Sequence, residues 1–409
     1  MKLEKLSLLK TKREFFTFIL ACGFIFIYSL LIEYNNYKNL TRFDSNIVTA
    51  TLLKQYEKTK TTKKGKTKTY QILKLQADNG FVFYTTQNSS FPHAKGSKIK
   101  LEIWAGKISF YEYMSSFFTF SKVIQIYKTP SLKQRLNSYL STCHEDENIS
   151  QIYQALYTAS PLNQKLQNIF SYLGISHLVA ISGFHLGVLS ALLFFLFKAP
   201  YSFFQNRYFP YRSYKVDSFI IISFVLLLYL LFLDSPSSLL RAFVMLVVGF
   251  VLYDRGFRII SMQTLFITAV LILSFFPRLF FSLGFWLSIG GVYYIYLFLL
   301  YFQNLNKIYQ SVLLPIWVYI MMLPHSLFIF ENFSLWHPFS IVWSILFSIF
   351  YPLSILLHIF GVGDLLDNPL IWLINIPITP YHINISWHVE ILFILLSLFA
   401  GYKSKTTTN

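Results

Sequence analysis

Apolar positions along the chain fall into two patterns. Long, nearly uninterrupted runs occupy residues 15–32 and then 177–197, 217–233, 238–253, 261–276, 280–302, 311–330, 338–360 and 386–402. About 20 residues at 1.5 Å each cross the hydrocarbon of a bilayer. The runs therefore predict eight helical crossings after residue 175, and nine with the first. Between the first run and the others the pattern changes. Residues 47–56, 69–77, 81–86, 98–104 and 123–127 are short, β-branched or aromatic, and separated by turn signals such as Asp78-Asn79-Gly80 and Lys95-Gly96. They predict five strands of a small barrel. From Pro130 to Leu173 the spacing turns helical, with Leu132, Leu136 and Leu140, then Leu162, Leu166, Ile169 and Leu173. These predict amphipathic helices lying on the membrane or on the bundle.

Charge orients the runs. Lys2, Lys5, Lys10, Lys12 and Arg13 precede the first, which places the tail in the cytoplasm. The run exits through Glu33-Tyr34-Asn35-Asn36-Tyr37, without a small-x-small cleavage site, so it is expected to be a retained anchor rather than a cleaved signal peptide. Residues 35–174 are then extracytoplasmic. Lys198, Arg207, Arg212 and Lys215 fall in one cytoplasmic loop, and Asp254, Arg255 and Arg258 in another. Nine crossings would leave Lys403 and Lys405 outside unless a late segment is re-entrant, and residues 361–385, with Pro369, Pro377 and Pro380, are the expected irregularity. The expected organisation is a tail and first transmembrane helix at 1–34, a barrel domain at 35–130, amphipathic helices at 131–174, a transmembrane domain at 175–402 and a tail at 403–409.

Composition agrees with a polytopic α-helical membrane protein. Of 409 residues 55% are hydrophobic and only 13% charged, against about 25% charged in a soluble domain. That excludes a cytosolic enzyme. Two cysteines, Cys22 and Cys143, exclude a disulfide framework and a Cys-rich zinc site. The net charge of +17 is concentrated: residues 35–130 hold 16 Lys and Arg against 5 Asp and Glu. A basic extramembrane module points to a polyanion, either nucleic acid or the anionic surface of a lipid bilayer. In its first hairpin Lys60, Lys63, Lys64, Lys66 and Lys68 crowd together beside Tyr70 and Phe83. Lysines for phosphates and exposed rings for bases are what single-strand binders use, whereas lipid head groups need only the lysines. A solvated hairpin with the rings in the core is the bland alternative.

Candidate chemistry inside the membrane is sparse. The densest polar cluster is His177 to Gly187, with Ser182, Gly183 and His185. On one continuous helix Ser182 and His185 would lie about 60° apart and His177 about 80° from His185, so a single face would carry both rings. Gly183 and Gly187 would admit a neighbouring helix. Polar glue between helices competes with a functional role. Arg241, beside Asp234, is expected to snorkel or to pair, and Pro324-His325 with Asn332 marks an outer turn. Gly65-Lys66-Thr67 lacks the first glycine of a phosphate-binding loop, and no metal or cofactor motif is present. Because each polar group is costly against lipid, His177, Ser182, His185, Arg241 and Asn332 are expected to share one hydrated path.

Three stretches carry a resemblance. Leu173-Gly174-Ile-Ser-His177-Leu-Val-Ala-Ile-Ser182-Gly183-Phe-His185-Leu-Gly187 is similar to the long signature of the ComEC family of DNA-uptake channels. Pro236-Ser-Ser-Leu-Leu-Arg241-Ala242-Phe-Val-Met245 resembles its P-S-x-x-R-A-x-x-M element, and Leu323-Pro324 through Asn332 to Pro338 its L-P…N…P element. The resemblance implies an OB-like extracytoplasmic barrel and a channel in the bacterial inner membrane that passes single-stranded DNA during natural transformation. It implies no enzyme activity and no cofactor. Its expected partners are single-stranded DNA, a ComEA-like periplasmic receptor, and a cytoplasmic DNA motor or DNA-protecting proteins. The expected lining is His177, Ser182, His185, Arg241, Ser288, His325 and Asn332, with Gly183, Gly187 and Pro324 in helix packing. Trp286 stands where relatives carry a polar residue. Many relatives continue into a metallo-β-lactamase-like domain, so strand degradation is expected to fall to another protein or not to occur at this step. A membrane hydrolase or lipid-modifying enzyme using Ser182 and His185, and a proton-coupled solute transporter, are the alternatives from other classes.

Overall fold

The computed structural model describes residues 11–61, 67–92, 94, 96–127, 132–256 and 260–404. The chain divides into two compact units, one of Phe18–Tyr139 with Leu273–Ser282, the other of Met1–Thr17, Leu140–Ile272 and Leu283–Asn409.

In the first unit, helix α1 (Lys12–Thr41) leads into strands β1 (Asn46–Thr61), β2 (Thr67–Ala77), β3 (Val82–Asn88), β4 (Lys98–Ile103), β5 (Phe117–Phe118) and β6 (Ser121–Ile126), with a short helix α2 (Phe110–Met114) before β5. Residues alternate between faces because the strand period is two. Leu73 and Leu75 are buried, as are Phe83, Ile99, Leu101 and Ile103, while Lys74, Tyr84 and Lys100 between them are not. The strands form one six-stranded sheet in the order β5-β3-β2-β1-β4-β6, so the expected five-stranded closed barrel is found as an open sheet with one strand more. Its two edges come from one stretch of chain: β5 pairs parallel with β3, and β6 antiparallel with β4. Tyr37 of α1 donates its hydroxyl to the Ile108 carbonyl at 2.8 Å, and Arg278 pairs with Glu33 at 2.6 Å, so the helix is tied to the loop before α2 and to the turn that carries Arg278.

The second unit is helical. It contains the last turn of α3 (Leu132–Cys143), then α4 (Glu147–Thr158), α5 (Gln164–Tyr172), α6 (Ser176–Val179), α7 (Gly183–Tyr208), α8 (Tyr214–Phe232), α9 (Ser237–Asp254), most of α10 (Met262–Phe275), α11 (Leu283–Tyr301), α12 (Lys307–Phe330), α13 (Ser340–Ile359), α14 (Asp367–Ile374) and α15 (Trp387–Ser404). Among the described residues six helices are long and apolar enough to cross a membrane: Lys12–Thr41, Gly183–Tyr208, Tyr214–Phe232, Leu283–Tyr301, Lys307–Phe330 and His337–Ile359. The protein is therefore a polytopic helical membrane protein. α9 and α15, 18 residues each, occupy the positions of two further expected runs, and Met262–Phe275 is a shorter apolar helix. Residues 361–385 hold a 3-10 turn at Gly363–Leu366, α14, and a strand β8 (Tyr381–His382) that pairs with β7 (Asn332–Phe333). The segment, all of it among the described residues, holds no long helix, at the place expected for a re-entrant stretch.

One expected element is overturned. The run 177–197 is not one helix: Ala180 and Ser182 are extended, α6 ends before them, and α7 starts after them. Ser182 instead caps α7 in a reciprocal box with His185, which offers the backbone a better start than continuation of α6. His177 and His185 therefore do not share a helical face.

Candidate functional site

Two constellations stand out, one in each unit. In the sheet, cross-strand register places Lys54 opposite Lys74 and Lys74 opposite Tyr84, then Tyr56 opposite Ile72, then Lys58 opposite Tyr70. These rows lie on the face away from the core, since the rows between them carry Leu52, Leu75 and Phe83, and then Leu73 and Thr85. The register shift between Leu52 and Lys54 decides which side faces out. Strict alternation would have turned Lys54, Tyr56 and Lys58 to the same side as buried Leu52; one extra residue on β1 turns them outward. Three lysines and three tyrosines thus interleave on three strands.

The electrostatics of this face suit an anion. Partial burial and the neighbouring Lys74 ammonium hold the Lys54 amine below the usual lysine range. Burial, with Tyr84 and Tyr70 nearby, pushes the Tyr56 hydroxyl up, so it stays a neutral donor. The Lys74 ammonium sits 5.6 Å over the Tyr84 ring, and Tyr56 is 46% exposed. Among the earlier candidates, Tyr70 lies on this face. Phe83 does not: it is fully buried, stacked on Phe117, because β3 alternation turns it inward. As a base-contacting residue it is corrected to core. Lys63, Lys64 and Lys66 lie outside the described residues, as do the side chains of Lys60 and Lys68 and the basic tail before Thr11.

In the helical unit, the N-terminal turns of α7, α9 and α11 meet. Ser238 at the start of α9 donates to the Ile181 carbonyl at 2.7 Å, one of the groups exposed by the break before α7. A Cβ built on Gly183 would stand 3.0 Å from that of Ala242, so α7 and α9 approach closely there. Nothing lies within 4 Å at Gly187. Arg241 is 3% exposed, which corrects the expectation that it snorkels; it donates to the Gly284 carbonyl of α11 at 2.7 Å and packs over Phe285. Ser182 donates its backbone N–H to Nδ1 of His185 at 3.2 Å, and its hydroxyl lies 3.1 Å from the same nitrogen. The His185 ring is buried against Tyr351 and Phe347. Ser288 is half-buried one turn further along α11.

The remaining candidates have other partners. His325 takes Tyr294 on one ring nitrogen at 2.8 Å and Glu390 of α15 on the other, and Pro324 beside it lies within α12. Asn332 donates to Ser171 of α5 at 2.9 Å, and His177 lies 3.5 Å from Ser344 of α13. The sequence offered no spacing for the Tyr294–His325–Glu390 group, whose members come from three helices. A buried carboxylate in an apolar helix was its one visible sign.

The comparisons with known proteins bear on the helical unit. The family described as Competence protein matches residues 158–404. An uncharacterized protein of Aquifex aeolicus (strain VF5) is 26% identical over 248 residues, covering 61% of this chain and 53% of that protein. The chain thus spans about half the length of that relative. No solved structure matches.

Proposed function

Since the chain belongs to the Competence protein family, we propose that it acts in DNA uptake, as a channel that passes single-stranded DNA across the bacterial cytoplasmic membrane. The observation that carries this reading is the meeting of three helix N-termini around buried Arg241, two of them, those of α7 and α9, built from stretches that resemble the family's signatures. Aligned peptide dipoles leave partial positive charge at such ends, and one guanidinium adds to it. A strand would find a positive constriction there without the many fixed cations that would hold it in place.

The sheet domain is, on this reading, an OB-like receiver for the strand. Its support is the passage of the chain from β5, beside β3, straight into β6, beside β4: only Thr119 and Phe120 separate the two edges. Lys54, Lys58 and Lys74 would meet phosphates while Tyr56, Tyr70 and Tyr84 stack on bases. A ComEA-like receptor would deliver DNA outside, and a motor or DNA-protecting protein would take the strand inside. The protein would work as a conduit and not as an enzyme. The capping geometry favours this over the hydrolase alternative, because no acid is bonded to His185 among the described residues.

Substitution tests the reading. Arg241→Met and His185→Gln, made singly and checked for membrane levels, should leave DNA bound at the cell surface and abolish its entry. Normal entry in both would return these residues to packing roles.

A further inference from the structure

A buried network that none of the foregoing uses lies where the connection between α3 and α4 meets α13 and α14. His144 places Nδ1 2.9 Å from Oδ2 of Asp367, the first residue of α14. Its Nε2 is 3.1 Å from Nε2 of His358, in the last turn of α13. On the far side of the His358 ring, Nδ1 is 2.7 Å from the Ser354 carbonyl. Both rings are buried. Tyr153 stacks on His144 at 4.3 Å, and Tyr157 of the same helix donates its hydroxyl to Ser354.

The hydrogen count in this network is fixed by its acceptors. A carbonyl can only accept, so Nδ1 of His358 carries a hydrogen and its Nε2, in the neutral ring, carries a lone pair. The Asp367 carboxylate likewise requires a hydrogen on Nδ1 of His144, leaving a lone pair on that ring's Nε2 too. Two lone pairs would then face each other at 3.1 Å in a buried site. We propose that His144 and His358 share one proton between their Nε2 atoms, with Asp367 as its counter-charge, and that this proton latches the α4 segment to α13 and α14.

The total is the same wherever the proton sits. If Asp367 is protonated and donates to Nδ1 of His144, that ring's Nε2 carries the hydrogen instead. In either form the triad is neutral overall. Neutrality also accounts for Oδ1 of Asp367, which is buried without a hydrogen-bond partner and would be costly beside an uncompensated negative charge. The other titratable groups facing the pair are Tyr153 and Tyr157, whose hydroxyls burial pushes far up, so they stay neutral. A metal ion between the rings would need further donors, and no group of three or more His, Cys, Asp or Glu is arranged to hold one among the described residues. A Cβ on Gly363 would come within 2.7 Å of the His358 ring, so the turn after α13 closes the pocket on that side.

Loss of the shared proton as pH rises restores the repulsion and opens the latch, while at low pH the opened form takes up a second proton on its two imidazoles, so the latch is strongest at intermediate pH and weakens on either side. The test is amide hydrogen exchange of the full chain in lipid nanodiscs, read by mass spectrometry on peptides covering 144–158 and corrected for intrinsic exchange rates. Protection there should pass through a maximum and fall on its alkaline side by up to about tenfold per pH unit, the slope of one linked proton, until the latched pair itself has lost the proton. In His358→Gln the amide donates to His144 without an added proton, so the alkaline fall should be absent. His144→Gln should behave alike. Asp367→Asn should move the onset of the fall to lower pH. Flat protection in the wild-type protein overturns the proposal, as does protection that a chelator abolishes, which would put a metal between the rings.

Discussion

Replacing Tyr84 with Ala removes one stacking ring from the outward sheet face and leaves the core beneath it, formed by Phe83 and Thr85, in place. A base stacked on an aromatic ring contributes about 1–3 kcal/mol. At about 1.4 kcal/mol per tenfold, Tyr84→Ala should weaken single-stranded DNA binding by roughly 5- to 150-fold. Tyr84→Phe keeps the ring, and the 5.6 Å contact with the Lys74 ammonium, and should bind within about twofold of wild type. The lysines act through a different observable. Each phosphate neutralised on a single strand contributes about 0.7 to the slope of log affinity against log salt. Changing Lys54, Lys58 and Lys74 together to Gln should therefore flatten that slope by about 2. The assay is fluorescence anisotropy of a labelled oligothymidine titrated with the full chain in nanodiscs, across a salt series. If Tyr84→Ala binds as wild type does and the triple variant keeps its slope, this face is not the DNA surface. Loss of binding on changing Lys60, Lys63, Lys64 and Lys66 alone would then assign it to the hairpin tip.

Three further outcomes test the packing and electrostatics. Gly174 has φ of +72° and a built Cβ would stand 2.9 Å from the His337 ring, so Gly174→Ala combines left-handed strain of about 1–2 kcal/mol with a clash and should lower thermal stability clearly. Gly183→Val should destabilise by about 1–3 kcal/mol by overpacking against Ala242, while Gly187→Ala, with open space around it, should be neutral or mildly stabilising; detergent-solubilised melting curves separate them. Because the folded chain holds Lys54 below its ordinary 10.5, it binds fewer protons than the unfolded chain in that window. Stability should rise with pH through the window, and Lys54→Met should remove the rise.

How much of this the sequence shows depends on whether the signal is local. The anchor, the strands near residues 47, 69, 81, 98 and 123, and the helices from residue 132 to 172 are visible because each depends on its own period of two or of about 3.6. The outward turn of Lys54, Tyr56 and Lys58 is not visible, because it depends on one extra residue in a pairing that only the partner strand defines. The break before α7 was hidden for the opposite reason: an apolar run gives no sign that Ser182 caps a helix rather than continuing one. Arg241 was legible as a costly cation, but its partner, Gly284, lies 43 positions away. His144, His358 and Asp367 carry no shared spacing at all, and only the tertiary fold brings them together.

The central claim, that this protein carries DNA across the cytoplasmic membrane, is tested most directly by following fluorescent or radiolabelled double-stranded DNA in a strain deleted for its gene and in the complemented strain. Nuclease added to the medium separates bound from internalised label. The account predicts normal nuclease-sensitive label at the surface of the deletion strain, no nuclease-resistant single strands in its cytoplasm, and protected single strands restored by the complementing gene. Wild-type amounts of protected single strands in the deletion strain would contradict it.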